Sequence, residues 1–345
     1  MKNILLFADT HVRSYNEFSK PTSSGLTDLL EEQERWFAWV ASLLPLYDVE
    51  LLIHLGDVFN SDKFLRLQEL YLVNKWFRRF EEETKFYVLL GNHDVCDGRG
   101  KVHGLAVSNV LDSYGTFSSS PELIAIPWGT QPSEINLKGR FLAISHIDLN
   151  GAFYDAVRIS RGYDFELERK QFVFSGHYHT PQQLGNVVCV GSLGFTSFAD
   201  VLSELPRGVV LVTLDEKKGI VDVNRIANPE TSYYITILEA EEEEAAAEAA
   251  DPHLELQGKS RGDCYLKVHT SKKLSREKFL ELGFKGVRLV LEVKKEAKRG
   301  TTVAKNAVVT RSTLGDAYST YLRSYETELD RELLKQKGLK VLGCR

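Results

Sequence analysis

Three features are missing from this chain of 345 residues, and each absence narrows what it can be. No apolar run approaches the ~20 residues that a bilayer-spanning helix needs, so no membrane span is expected. At the start, Lys2 precedes only the short apolar stretch Ile4 to Ala8 before Asp9 stops it. That is too short for the core of a secretory signal, so a cytoplasmic location is expected. Paired cysteines are also missing. Cys96, Cys189, Cys264 and Cys344 are scattered and form no CxxC pair. This argues against a disulfide framework or a thiolate zinc site and for reduced thiols. Finally, no internal repeat is visible.

What is present is an ordinary globular composition, with 43% hydrophobic and 26% charged residues. The length supports a full core and suits two domains better than one. The net charge of -5 hides an asymmetry. From Glu255 onward there are 21 basic and 11 acidic residues, whereas the first 254 residues carry 22 basic and 37 acidic ones. An acidic body suits metal binding. A basic tail suits a polyanion or an acidic partner, or is simply a solvated basic surface.

The hydrophobic pattern alternates strands and helices. Asn3–Ala8, Leu51–Leu55 and Phe86–Leu90 have the length and apolarity of buried strands. Leu29–Leu44 and Leu65–Phe80, between them, have helical spacing. Further strands are predicted at Leu123–Ile126, Phe141–Ser145, Phe172–Phe174, Val187–Val190 and Val209–Leu214. This order predicts a layered α/β domain whose second sheet is partly antiparallel. The acidic run Glu239–Ala250 reads as either an exposed helix or a mobile linker, with linker or loop favoured. Beyond it, a strand at Tyr265–Val268, a helix at Arg276–Leu282 and a strand at Val287–Val293 make a small α/β module. A last helix follows. Ser312 or Thr313 can cap it, and Leu314, Tyr318, Tyr321, Leu322, Tyr325, Leu329 and Leu333 form its apolar stripe.

Five segments share one design, in which a strand ends and Asp, His or Asn follows. They are Asp9-Thr10-His11, Gly56-Asp57, Gly91-Asn92-His93-Asp94, His146 and Gly176-His177-Tyr178-His179. Carboxyl ends of strands in an α/β sheet face one crevice, so side chains distant in sequence can converge there. Any one segment could be a cap or a satisfied surface group. Five together in this order are a functional constellation.

The pattern DxH, GD, GNHD, H, GHxH resembles that of the calcineurin-like metallophosphoesterases and spans roughly residues 1–215. The resemblance implies a four-layer fold, two sheets flanked by helices, and two divalent ions that share a bridging carboxylate and clamp a phosphate. Matched position by position, Asp57 is the bridge. Asp9, His11 and His179 complete one ligand set, and Asn92, His146 and His177 complete the other. Such mixed His/Asp/Asn shells suit borderline ions such as Mn²⁺, Fe²⁺ or Zn²⁺, with Mn²⁺ the expected metal. His93 is the family's non-ligand histidine, which stabilises charge on phosphorus and protonates the leaving oxygen. Asp94 is expected either to orient that imidazole or merely to cap its loop.

The fold hosts many substrates, so the flanks matter. GHxH extends to GHxHxPQ through Pro181 and Gln182. Gly191-Ser192 and Ser197-Phe198-Ala199-Asp200 read GSxxxxSFxD, and Gly151-Ala152 follows His146. These extensions resemble SbcD, the nuclease subunit of the bacterial SbcCD complex, and its phage recombination-endonuclease relatives. The resemblance implies a DNA exo- and endonuclease acting in recombination and double-strand-break processing. It would have a nuclease domain at 1–230, a DNA-capping domain at 231–300 and, at 301–345, a linker and helix for an SbcC-like coiled-coil ATPase. The alternative is a phosphatase or cyclic-nucleotide phosphodiesterase of the same superfamily. Candidate DNA contacts are Lys272, Lys273, Arg276, Lys294, Lys295, Lys298 and Arg299. Candidate partner contacts are Leu314, Tyr318, Tyr321, Leu322, Tyr325 and Leu329, although the same stripe could be core packing. Homodimerisation through helices is also implied, with Trp36, Trp39, Trp76 and Phe77 as candidate surfaces or as core. One departure stands out: after His11 the family often has Leu-Gly, and here it is Val12-Arg13.

Overall fold

Runs of Leu, Ile and Val too short for helices set the frame of the molecule. In a computed structural model they pair into two large sheets. The structure describes residues 1–291 except 61–63, 97–102, 106–108, 118–119, 155–156, 201–204, 216 and 256–257. Lys294, Lys295, Lys298, Arg299 and the Leu314–Leu329 stripe lie outside the described residues.

In chain order the elements begin with β1 (Lys2–Phe7), α1 (Asp28–Leu46), β2 (Val49–His54), α2 (Leu67–Glu83), β3 (Lys85–Leu89) and β4 (Val110–Leu111). The middle of the chain gives β5 (Gly115–Phe117), β6 (Ser120–Ile126), β7 (Leu142–Ser145), β8 (Phe153–Tyr154), β9 (Val157–Arg158), β10 (Phe172–Ser175), β11 (Gln182–Leu184) and β12 (Val187–Cys189). Then come β13 (Gly208–Asp215), β14 (Gly219–Ala227), β15 (Tyr233–Ile237), α3 (Glu243–Glu255), β16 (Cys264–Thr270), α4 (Arg276–Glu281) and β17 (Gly286–Leu291).

The first sheet has the order β14-β13-β1-β2-β3-β4 and the second β11-β12-β10-β7-β6-β5. In each, the central strands are parallel (β1 to β4; β6, β7, β10 and β12), and antiparallel strands are added at the edges. Ile4, Leu6, Leu51 and Ile53 of the first sheet bury against Ile144, Phe174 and Val188 of the second. The opposite face of the first sheet, with Leu5, Phe7 and Leu52, packs on α1 and α2 through Trp36, Phe37, Phe77 and Phe80. Over the outer face of the second sheet lie a 3-10 turn at Pro132–Glu134 and loop residues such as Ile135, Tyr163 and Phe165. This is the layered α/β architecture expected, two sheets flanked by helices.

Helix α1 starts where expected because the Thr27 hydroxyl accepts from the Leu30 amide, and Asp28 and Glu31 favour the positive end of the dipole. Trp36, Trp76 and Phe77 are 1%, 5% and 0% exposed, so they are core rather than a dimer surface; Trp39 is half-buried. The apolar side chains α2 and the residues before it present outward are Phe64, Leu67 and Tyr71. No helix among the described residues is long and apolar enough to cross a membrane.

The acidic run is not a loop. Residues 243–255 form α3, because Ala246, Ala247, Ala250 and Leu254 fall on one helical face and bury against the third sheet, β15-β16-β17. Its acids point outward, where Lys278 pairs with Glu243 and Glu244. Strands β14 and β15 were not anticipated either; β14 is largely exposed and lacks an apolar run. The third sheet belongs to the same compact unit as the rest of residues 1–291. The polar stretch after His11 contributes to that union. Phe18, 7% exposed, stacks on Tyr265 with ring centroids 4.9 Å apart. Beside it, buried Glu32 of α1 accepts from the Ser232 amide and hydroxyl, each at 2.7 Å, and from Lys285.

Removing one member of such a buried ion pair leaves the others unsatisfied. We therefore expect Glu32→Ala to lower stability by roughly 3–5 kcal/mol. The check is the urea midpoint at constant slope. A midpoint unchanged from that of the unsubstituted chain would show that this contact does not hold the third sheet in place.

Candidate metal centre

Every predicted site segment begins where a parallel strand stops. β1 ends before Asp9 and His11, β2 before Asp57, β3 before Asn92, β7 before His146, and β10 before His177 and His179. Because these strands are parallel within their sheets, their carboxyl ends lie on one edge. The two edges are joined directly. Ala8 bridges Ser192, and the His177 amide donates to Asp9 Oδ1 at 3.0 Å.

The turns that deliver these side chains are strained. Asp9, His11, Asp57 and His177 have φ of 49°, 42°, 57° and 76°. Left-handed backbone costs a non-glycine residue of order 1–3 kcal/mol and persists only where its surroundings impose it. The motif glycines have a steric reason. A Cβ on Gly91 would lie 2.2 Å from Asp57 Oδ1, and one on Gly56 2.5 Å from His146 Nδ1. One on Gly176 would lie 2.5 Å from the Leu55 carbonyl.

Asp57 is central and only 2% exposed. Its Oδ1 lies 3.4 Å from His146 Nε2, and its Oδ2 lies 3.7 Å from His11 Nε2. The carboxylate thus faces two histidines through different oxygens, as a bridging ligand would. Two three-residue groups could each hold a cation on either side, Asp9/His11/His179 and Asp57/His146/His177, with ligand atoms within 4.8 Å of one another. Asn92 joins the second, its Oδ1 lying 3.2 Å from His146 Nε2 and 3.0 Å from His177 Nδ1. A third group, His11/Asp57/His93, places His93 on the same carboxylate.

The donors fit divalent cations. Asp9 Oδ2 is buried without a hydrogen-bond partner, and His11 Nε2 and His179 Nε2 face each other 2.8 Å apart. Two imidazole nitrogens and a carboxylate oxygen therefore converge on one space. The electrostatics agree. Burial pushes the Asp9 carboxyl up and holds His11 well below the usual histidine range. Burial also opposes charge on His146, but Asp57 and Asp9 outweigh it and lift that imidazole to about 9. The buried carboxylates thus draw positive charge toward them.

Three of the four candidate histidine ligands have the other nitrogen tied down, which fixes the tautomer; His11 Nδ1 is buried without a partner. His146 Nδ1 donates to the Leu55 carbonyl at 2.6 Å. His177 pairs through Nε2 with Asp148 at 3.0 Å, and His179 through Nδ1 with Asp200 at 3.1 Å. The two carboxylates differ. Asp148 is 55% exposed. Asp200 is buried and also accepts from the Thr196 and Ser197 amides at 2.6 and 2.8 Å. Burial alone would raise Asp200, yet His179 and Arg207 hold it well below the usual carboxylate range. Arg207 in turn donates to the His179 carbonyl and lies 4.3 Å over the Phe195 ring.

Asp94 needs correcting as a catalytic candidate. Its carboxylate accepts from the Asp57 and Gly91 amides at 2.8 and 3.0 Å, and from the Val58 and Phe59 amides at 2.8 and 3.3 Å. It staples the GD loop to the GNHD loop and does not orient His93. Burial, with Asp57 nearby, pushes it up to about 7 against the pull of those amides. His93 instead donates from Nδ1 to the Asn60 carbonyl at 3.2 Å, leaving Nε2 for chemistry.

Sequence reasoning missed Asp148, Arg207 and Trp128, and it gave Asp200 no role. Asp148 had a faint signal, two residues past His146; Arg207 and Trp128 had none. Of the basic candidates, Lys272 is taken by Glu241 at 2.9 Å and Arg276 lies over the Phe18 ring; Lys273 is exposed.

Comparison with known proteins agrees with this geometry. Residues 2–181 match the calcineurin-like phosphoesterase family. No curated protein matches the chain. Among solved structures, a Pseudomonas putida nuclease termed MPE is similar at 19% identity and a TM-score of 0.30. That match covers 61% of this chain and 83% of the other, a likeness too distant to bear on activity.

Outer-sphere partners of histidine ligands are typically worth roughly 10–100-fold in metal affinity. We expect Asp200→Ala to weaken binding of one of two metal equivalents by about that factor while the other binds normally. Titration calorimetry with Mn²⁺ reads both. Two equivalents bound as in the unsubstituted chain would show that Asp200 serves only its own loop.

Proposed function

The chain belongs to the calcineurin-like phosphoesterase family, whose members are metal-dependent phosphoester hydrolases, and from that premise we propose that it is a two-metal DNA nuclease. The observation that carries this reading is what the SbcD-like extensions do in three dimensions. The GSxxxxSFxD stretch supplies Asp200 to His179, and its Ser192 accepts from Arg207 at 2.7 Å. In GHxHxPQ, Pro181 packs against Gly191, and Gln182 holds both the amide and the carbonyl of Phe153, at 2.7 and 2.8 Å. That keeps the β8–β9 hairpin, and Tyr154 with it, beside His177 and His179. The residues that resemble SbcD are thus built into the ligand shell.

Divalent ions, with Mn²⁺ the favoured pair, would supply Lewis acidity and lower the pKa of the attacking water. Asp57 would bridge them, with Asp9, His11 and His179 on one side and Asn92, His146 and His177 on the other. The protein's own groups do the rest. Left-handed turns and the Asp94 staple hold the ligands before substrate arrives, so little reorganisation is needed at reaction. His93, tethered through Nδ1, would carry a proton on Nε2 and give it to the leaving oxygen.

The same reading extends to assembly. Residues 1–230 would form the nuclease domain, 231–300 a DNA-capping domain that uses Lys273 and its basic neighbours, and 301–345 the attachment to an SbcC-like coiled-coil ATPase. Two copies would pair, with exposed Leu67 and Tyr71 of α2 better placed for this than the buried tryptophans. The complex would act in recombination and double-strand-break processing.

The direct test is degradation of end-labelled linear DNA with Mn²⁺, Mg²⁺ or EDTA. We expect Mn²⁺-dependent cleavage that Asp57→Ala abolishes. His93→Ala should keep both metals by elemental analysis and lose roughly 10²–10⁴-fold in turnover. Brisk hydrolysis of small phosphomonoesters with no DNA cleavage under any metal would move the assignment to a phosphatase of the same family.

A further inference from the structure

Next to the metal centre lies a cleft of about 500 Å³ to which no function has yet been given. One wall is Trp128, a half-buried residue that follows β6. Its ring lies 5.4 Å from that of His177, tilted by 34°, and meets His146 edge-on at 6.5 Å. Tyr163 forms part of the lining, Ile135 and Ile147 are apolar floor, and the exposed guanidinium of Arg161 lies at the rim. Asp148, which also lines the cleft, already holds His177 through one oxygen.

This combination is selective. Two aromatic rings and aliphatic side chains suit a flat apolar heterocycle. A carboxylate oxygen and a guanidinium suit its polar edge. The volume is ample for one base with its sugar. The cleft also shares Asp148 with a candidate ligand, so whatever fills it sits beside the group the metals would hold.

We propose that this cleft is a nucleobase subsite, which takes an unpaired base attached to the phosphate being hydrolysed. It rests on the reading of the site as one for phosphodiesters of nucleotides, and it adds that the nucleotide at the reactive phosphate is extruded from the base stack. Stacking on an aromatic side chain is sequence-tolerant, since every base has a π-face, and is strong enough to be seen in binding.

The test compares two small probes that differ only in the base, 2′-deoxyadenosine 5′-monophosphate and 2-deoxyribose 5-phosphate. Each is titrated calorimetrically into the Mn²⁺-loaded protein. We expect the nucleotide to bind roughly tenfold more tightly, in line with one stacked base. Tyr163→Leu and Arg161→Ala alter residues that are not candidate ligands; they should shrink that advantage while leaving the affinity for deoxyribose phosphate unchanged. Trp128→Leu should erase it, and Trp128→Phe should restore most of it. Equal affinity of the unsubstituted protein for the two probes would overturn the subsite. So would a base advantage that survives Trp128→Leu. These outcomes are separate from the nuclease reading. DNA cleavage with no base advantage would retain the nuclease and reject the subsite. A base advantage without DNA cleavage would retain the subsite on an enzyme acting on free nucleotides.

Discussion

Two carboxylates buried almost side by side, Asp9 and Asp57, are the constraint around which this fold is organised. A carboxylate in an apolar interior is costly unless charge and hydrogen bonds surround it. The neighbourhood of Asp57 supplies both. Its Oδ1 accepts from the His93 amide at 2.8 Å, and His11 and His146 face its two oxygens. The steric demand of that packing reaches outward. It leaves no room for a side chain at Gly56 or Gly91, forces Asp57 into left-handed backbone, and requires a third buried carboxylate, Asp94, to gather the amides those turns expose. The two-sheet sandwich is what makes this arrangement rigid, since each turn follows a strand whose last residues are buried.

The two halves of the site are built to different stiffness. His179 is held by Asp200, which is itself held by two amides, by Thr196 and by Arg207, all in the interior. His177 is held by Asp148, which is more than half exposed. One half is therefore braced by protein on all sides, and the other is braced at a surface that a substrate could touch. The cleft beneath Trp128 opens on that second half. A change of solvent or ligand around Asp148 would be felt by His177 directly, whereas His179 is insulated.

Legibility in the sequence followed burial. Strands β1, β2, β3, β7 and β10 were read correctly because each is built on a short, mostly apolar run. β14 was missed because an edge strand with five exposed positions has no such run. For α3 the sequence left helix and loop both open and favoured loop, because exposed acids fill much of the run and the alanines that bury it are weak hydrophobic signals individually. At the site, the side chains with chemistry announced themselves through strand-end position. The roles of Asp94 and Asp200 did not, since a carboxylate that binds a metal, orients a histidine or caps amides is the same letter.

The sequence alone determined the elements and the chemical inventory, because strand length, apolar periodicity and the residues after each strand are local properties. Tertiary structure decided everything that depends on which atom faces which. It gave Asp57 an oxygen for each of two histidines, turned Asp94 from His93 toward backbone amides, and chose the nitrogen by which His146, His177 and His179 are tied down. It also set Trp128 beside His177, across a separation of 49 residues that no local pattern records. The physical reason is that hydrogen-bond direction and close packing are fixed only when the two sheets meet. Until then, each of these groups has several partners of similar energy available.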